Sequence, residues 1–265
     1  MTPGLSIITV NFNNKDGFIK TADSVIAQTW GDYEWIIIDG GSTDGSAEVI
    51  REYAEKSGKV AFWCSERDGG IYEGMNKGIA AASGRYLYFL NSGDYLREPA
   101  SLEGIFAFDF DEDIVFGDMM LEGDDGGYVI WRYKNRLHPS DLLYGFLPHQ
   151  NMFIKARLFG GGGYRTDLRL VSDWAHYTAA ICRGNASYRH IHTVLAVNQR
   201  GGVSGSAGHW YIQKAERRMA VREIFTPLQR FCYIFTVASL RNKIYKVSLR
   251  LKKLSEKLNR RGAGE

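Results

Sequence analysis

Four aspartates stand where a carboxylate can do chemistry. "YLYFLNSGDYL" (86–96) begins as an apolar strand and ends in Asn91, Ser92, Gly93 and Asp94. A hard divalent cation such as Mg2+ or Mn2+ takes oxygen ligands, commonly one or two carboxylates completed by phosphate oxygens. A strand end is a rigid mount for Asp94, and Ser92 and Gly93 allow a diphosphate to approach the backbone. A plain turn accounts for the same four residues. Asp39, in "IIIDGGSTDGS", can accept hydrogen bonds from a base edge or a ribose, or can open a turn whose Ser42 or Thr43 caps the next helix. Asp68 precedes Gly69, Gly70 and a helix whose N-terminal amides favour an anion. Lys77 on that helix faces either phosphate or solvent. Asp173, in "LRLVSDWAHYTAA", lies near a helix start beside Trp174. There it either deprotonates a hydroxyl or complements the helix dipole. His149 and Gln150 in "PHQNMF", with His176, His190 and His192, show no zinc-type spacing, and these histidines read as surface or structural groups.

The elements that must carry these groups alternate. "LSIITVNF", "EWIIID" and "RYLYFLN" read as buried strands, and "KVAFWCSE" as a further strand. "KDGFIKTADSVIAQTW", "STDGSAEVIREYAEKSG" and "GIYEGMNKGIAAASG" between them carry helical spacing. "DEDIVFGDMML" is a fifth strand, paired with "GGYVIWRY" through the Gly-rich turn at 123–127. Such alternation predicts an α/β fold with a mostly parallel sheet covered on both faces, and ligands beyond the carboxyl ends of its strands. Asn11, Asp39, Asp68 and Asp94 all follow strand ends. Gly74, Asn76 and Gly78 weaken the third helix locally, which points to close packing or ligand contact. "HPSDLLYGFLPHQNMFIKARLF" reads as loops over the sheet edge, and "VSDWAHYTAAICRG" as a capped helix. Beyond Gly208 the pattern is helical, broken at Pro227. No P-loop and no dinucleotide fingerprint is present.

With 265 residues, 45% hydrophobic and 24% charged, the composition is that of an ordinary globular protein of one large domain plus an appended segment. The net charge of +3 argues for no partner, but from Arg241 to Glu265 nine Lys or Arg face two Glu. Cys64, Cys182 and Cys232 are expected to be reduced thiols in a cytosolic compartment. No secretory leader is expected, and no apolar run reaches the roughly 20 residues that span a bilayer.

Taken together, "SIITVNFNN", "EWIIIDGGSTDGS", "DGGIYEGMNKGIAAASGRYLYFLNSGD" and "LRLVSDW" resemble the family 2 glycosyltransferases of the GT-A fold, over residues 4 to 205. The subgroup that assembles bacterial surface polysaccharides, of the colanic-acid type, is the nearest likeness. The resemblance implies a Rossmann-like GT-A domain at 1–205, followed by a helical, basic extension at 206–265. It also implies a UDP- or GDP-linked sugar donor, a divalent metal (Mg2+ or Mn2+), and inversion at the anomeric carbon. Val10 and Asn11 fall in the loop lining the nucleotide pocket. Asp39 matches the base-binding aspartate, Asp68 an acidic position near the nucleoside, and Asp94 the metal-binding end of the D-x-D-type motif. Lys77, Ser92 and Gly93 join the nucleotide set, and Asp173 matches the catalytic base. His149, Gln150 and Trp174 are assigned to the acceptor side. Two departures stand out: Asn91 and Gly93 replace carboxylates of many relatives, and Ser172 replaces the usual Glu before the base.

The acceptor expected is a glycan or a lipid-linked glycan. Residues 229–261 space apolar side chains as a basic amphipathic helix. It suits an anionic membrane surface at the cytoplasmic face of the plasma membrane, or packing on the domain or on a second subunit of a homo-oligomer. Nucleic acid is not expected. A non-catalytic sugar-nucleotide-binding or scaffolding protein is the alternative. A sugar nucleotidyltransferase would want a Gly-rich basic loop after strand one, which "NFNNKDG" lacks.

Overall fold

A computed structural model describes residues 2–123, 126–160, 162–199 and 207–232. The first half follows the predicted alternation: β1 (Leu5–Asn11), α1 (Lys15–Ile26), β2 (Tyr33–Asp39), α2 (Ser46–Ser57), β3 (Val60–Ser65), α3 (Ile71–Ala81) and β4 (Tyr86–Phe89). Then come β5 (Tyr95–Leu96), α4 (Ser101–Phe106), β6 (Ile114–Glu122), β7 (Tyr128–Trp131), α5 (Pro139–Tyr144), β8 (Met152–Lys155), α6 (Ser172–Cys182), β9 (Tyr188–Asn198) and α7 (Trp210–Ile224).

The nine strands of the described residues join one sheet in the order β3-β2-β1-β4-β8-β6-β9-β5, with β7 on β6. β3, β2, β1 and β4 are mutually parallel, as the βα alternation requires. β7 returns antiparallel on β6, pairing Glu122 with Tyr128, as the Gly-rich turn predicts. Side chains alternate across the sheet with period two. Ile8, Val10, Leu87 and Phe89 face one core, which also takes Trp174 and Tyr177 of α6. Leu5, Ile7, Tyr86 and Tyr88 face the other, against Phe18 and Val25 of α1.

The weak residues of α3 are explained by packing. A Cβ on Gly78 would stand 2.4 Å from Ile8 Cγ2, and one on Gly74 would stand 2.9 Å from Val10 Cγ1. Only a bare backbone lets this helix lie so close to β1. Asn76 spends its amide on the backbone of Tyr164, donating to the carbonyl at 2.8 Å and accepting the N–H at 2.6 Å.

Three expectations need correction. "MFIK", read as part of an edge loop, is β8, antiparallel to both β4 and β6 in the middle of the sheet. The run was masked by its setting, a segment carrying Pro139, Gly145 and Pro148 that reads as loop. β9, also unforeseen, runs parallel to β6. α6 starts without a side-chain cap, and the Oγ of Ser172 is buried with no partner.

α7, from the expected extension, packs on the domain. Ala220, Ile224 and Phe225 enter the core with α6. The buried carboxylate of Glu216 accepts the N–H groups of Arg169 (2.8 Å) and Leu170 (2.9 Å). The remainder of the predicted basic helix, from residue 233 on, lies outside the described residues. Among the described residues no helix is long and apolar enough to cross a membrane.

Candidate active site

At the carboxyl ends of the parallel strands, Asn11 of β1, Asp39 of β2 and Ser65 of β3 fall in one row of the register. Asp39, 0% exposed, therefore collects donors from both sides. Its Oδ1 accepts from Asn11 Nδ2 (2.7 Å) and Ser42 Oγ (2.5 Å). Its Oδ2 accepts from Ser65 Oγ (2.7 Å) and the Ser42 N–H (2.9 Å). Burial pushes its carboxyl up, but these bonds win and hold it below the usual carboxylate range. Asp39 is thus the tie that holds three strand ends and the following loop. Ser42 serves Asp39 rather than the next helix; α2 has Gly45 as its N-cap with no side-chain cap, and Asp44 before it accepts the Ser46 N–H at 3.0 Å. Asn11 Oδ1 is buried and unpartnered, an acceptor left over beside Asp39.

Asp68 sits between two glycines: a Cβ on either Gly40 or Gly74 would lie 3.1 Å from its Oδ2. Its Oδ1 accepts the Gly70 N–H at 3.0 Å, and burial pushes its carboxyl up. Lys77 reaches this end of the site, where its ammonium pairs with Glu66 at 3.0 Å. Val10 contributes backbone, its carbonyl accepting the Ser92 N–H at 3.1 Å.

The turn after β4 is built to hold Asp94. Gly93 adopts φ 103°, a conformation that a side chain resists, so an aspartate there would be strained. Its N–H donates to Thr21 Oγ1 (3.0 Å) and to the Gly17 carbonyl (3.1 Å). Asn14 Nδ2 donates to the Ser92 carbonyl at 3.0 Å. Asp94 Oδ1 accepts the Gln199 N–H (3.0 Å) and Oδ2 accepts Gln150 Nε2 (2.8 Å). Burial nevertheless pushes its carboxyl up, so a nearby cation would favour its ionised form. A carboxylate keeps further lone pairs after two such bonds. Beside it, the buried Asn91 Oδ1 has no partner. The Asp94 carboxylate and the Asn91 amide oxygen are hard oxygen ligands, and a single carboxylate fits a divalent ion that would draw its other ligands from phosphate and water.

Asp173, second residue of α6, is held by two donors. Tyr72 of α3 donates its hydroxyl to Oδ1 at 2.7 Å, and His149 Nδ1 meets Oδ2 at 2.8 Å. Burial pushes the carboxyl up, yet the His149 bond and charge hold it low. Burial and the neighbouring Asp173 keep the Tyr72 phenol well above its ordinary range, protonated and donating.

The topology brings the pieces together. Because β8 runs antiparallel to β4, with Tyr88 opposite Phe153, the residues entering β8 lie beside the turn leaving β4. His149 and Gln150 fill that place, in a 3-10 turn over His149–Asn151. Gln150 reaches Asp94 while His149 reaches Asp173, so two aspartates far apart in sequence share one site. His149 is therefore no free surface group, since its Nδ1 is engaged by Asp173. Trp174 stands elsewhere: 3% exposed, it donates its indole N–H to the Leu142 carbonyl at 2.9 Å and takes Arg217 on its ring at 4.6 Å. Tyr72 and Gln199 were missed from the sequence. Tyr72 had a usable signal, lying in the first turn of the helix behind Gly69 and Gly70. Gln199 acts through its backbone, which no side-chain pattern announces.

Asp118, His190 and His192 form a second cluster, with ligand-type atoms within 4.8 Å of one another. His190 already uses both ring nitrogens, on Asp118 Oδ1 (2.8 Å) and Asn135 Oδ1 (3.0 Å). It ties β9 to β6.

Residues 6–169 match the Glycosyl transferase family 2 family. The chain is a family 2 glycosyltransferase. The transferase is 30% identical over 210 residues to a PGL/p-HBAD biosynthesis glycosyltransferase of Mycobacterium bovis, covering 77% of this chain and 80% of the relative. It is 46% identical over 189 residues to a glycosyltransferase of Mycobacterium tuberculosis, covering 64% and 66%. Among solved structures it resembles Staphylococcus aureus TarS in complex with UDP-GlcNAc (TM-score 0.62, 14% identity, 82% of this chain and 66% of that one). It also resembles the mannosyltransferase PcManGT of Pyrobaculum calidifontis in complex with GDP-Man and Mn2+ (TM-score 0.63, 17% identity, 86% and 67%). At these identities the likeness establishes the GT-A fold. The transferase spans 60% of the TarS fragment 1–349, and its Asp173 lies just beyond the matched family span.

Proposed function

We propose that this transferase moves a sugar, with inversion, from a UDP- or GDP-linked donor to a hydroxyl of a glycan or lipid-linked acceptor in surface-polysaccharide synthesis. The observation that carries the reading is the pairing of Asp94 with Gln150 and of Asp173 with the adjacent His149. One carboxylate stands at the strand end suited to a diphosphate, the other at a helix start suited to an incoming alcohol. The complexes of TarS with UDP-GlcNAc and of PcManGT with GDP-Man support the donor class. The relative named for PGL/p-HBAD biosynthesis is compatible with a lipid-linked acceptor.

In this mechanism Asn11, Asp39 and Asp68 frame the nucleoside, and Lys77 exchanges Glu66 for phosphate. Asp173 accepts the proton of the acceptor hydroxyl as its oxygen bonds the anomeric carbon from the face opposite the diphosphate. The sugar–phosphate bond breaks, and its electron pair leaves on the diphosphate oxygen. Asp94 would hold a Mg2+ or Mn2+ ion, which supplies charge stabilisation to the leaving group. Alignment of the alcohol with the anomeric carbon lowers the barrier further, because a positioned reactant has already lost its translational freedom. Residues 229–261 would bring the enzyme to the cytoplasmic membrane surface where lipid-linked acceptors lie.

A thermal-shift screen of UDP- and GDP-sugars, with and without Mn2+, tests the donor reading, because a ligand that binds the native state raises Tm by linkage. Turnover of the stabilising donor with glycan acceptors, followed by the anomeric configuration of the product, tests the rest. A chain stabilised by no nucleotide sugar, or a product of retained configuration, sinks the proposal.

A further inference from the structure

His149 and Gln150 are neighbours on a turn that is fastened independently of the substrates. Tyr88 of β4 donates its hydroxyl to the Gln150 carbonyl at 2.8 Å. Asn151 is fully buried. Its Oδ1 accepts the Leu195 (3.1 Å) and Ala196 (2.9 Å) N–H groups of β9. On the other side of the turn, the Leu147 N–H donates to Tyr177 Oη of α6 at 2.7 Å. The turn is thus pinned to β4, β9 and α6 at once. From it, one side chain reaches each of the two aspartates.

The orientation of His149 is also specified. A carboxylate only accepts, so the Nδ1 facing Asp173 Oδ2 must carry the proton. On the other side of the ring the Asn91 side-chain amide stands 3.1 Å from Nε2, and an amide can meet that nitrogen as donor or as acceptor. Asp173 therefore fixes the Nδ1–H and the ring is held between two partners, in the way hydrogen-bond partners orient histidines elsewhere.

We propose that His149 and Gln150 are positioning residues of the transfer reaction, a strut that fixes the base Asp173 relative to the diphosphate-side carboxylate Asp94. This inference rests on the proposed transferase mechanism and deepens it. Each strut residue occupies one lone pair of its aspartate, leaving others for the acceptor hydroxyl or for the leaving-group side. Small misplacements of reacting groups are costly, so the strut acts on rate through geometry.

The test compares steady-state kinetics of the full chain carrying His149→Ala, His149→Asn, Gln150→Ala and Asp173→Asn, with melting temperature as a control. His149→Ala should lower kcat by roughly 10–100-fold with donor KM unchanged, the range seen when outer-shell partners are removed. His149→Asn, which keeps an N–H for Asp173, should recover much of that loss. Gln150→Ala should instead raise the donor KM. If Asp173→Asn abolishes turnover while the His149 and Gln150 variants stay within about twofold of wild type, the strut is overturned and the transferase mechanism stands. Loss in His149→Ala that His149→Asn does not recover, with a lowered Tm, assigns the residue to folding and equally overturns it. Turnover preserved in Asp173→Asn removes the base itself, and with it the mechanism on which the strut depends.

Discussion

Tyr72 of α3 and Asp173 of α6 share a 2.7 Å hydrogen bond across 101 positions of sequence. The helix that opens behind Gly69 and Gly70 thereby touches the start of α6. In the proposed mechanism this bond links the nucleotide side to the base, and a change at either end should be felt at the other.

Removing that hydroxyl isolates its contribution. Tyr72→Phe deletes one donor to an ionised carboxylate, worth roughly 1.5 kcal/mol or more, and should lower kcat about tenfold. Asp173→Asn should cost on the order of 10²–10⁴ in kcat, the span of a lost general base. Both are read from initial rates with saturating donor and acceptor. Equal rates in wild type and Tyr72→Phe would show that the bond is idle.

Asp94→Asn should retain the fold but lose the Mn2+-dependent part of donor stabilisation. A nucleotide sugar at 100 times its Kd stabilises the native state by about 2.7 kcal/mol. Melting curves with donor, recorded with Mn2+ and with EDTA, should separate for the wild type and coincide for the variant. Curves that already coincide in the wild type would mean that no cation acts through Asp94.

Asp39→Asn should destabilise the protein on the order of 3 kcal/mol, since an amide nitrogen would face donors in a buried site. Ser65→Ala, which removes one of the four bonds, should cost about 1–2 kcal/mol. Urea denaturation measures both. A loss confined to nucleotide affinity, with stability intact, would contradict the role of Asp39 as the tie between strand ends.

His176 supplies a pH dependence with a definite sign. Stacked on Phe159 at 4.3 Å, it has Nε2 buried without a partner, and burial lowers its pKa to about 4. The unfolded imidazole, near 6.5, binds its proton first. Its contribution is therefore fully present above about pH 6.5 and is lost as pH falls toward 4, by on the order of 3 kcal/mol. His176→Phe should flatten the stability profile over that window. An unchanged acid slope in the variant would assign it to other groups.

Much of the fold was legible because its causes are local. The apolar runs of β1, β2 and β4 and the helical spacing of α1 and α2 are short-range patterns, and Gly74 and Gly78 signalled close packing that Ile8 and Val10 then explained. Asp39, Asp68, Asp94 and Asp173 were named from strand ends and a helix start. β8, set in a Pro- and Gly-bearing segment that reads as loop, was not legible, and the roles of His149 and Gln150 depended on it.

From the chain alone came the α/β class, the order of the first four strands and helices, and the four carboxylates. Tertiary structure decided that β8 lies against β4. That adjacency sets the residues before β8 beside the turn after β4, and it is how His149 and Gln150 come to stand between Asp173 and Asp94. A local pattern can specify what a segment becomes, but strand neighbours are chosen by the packing of the whole sheet, where residues 56 positions apart in sequence, such as Asp94 and Gln150, meet.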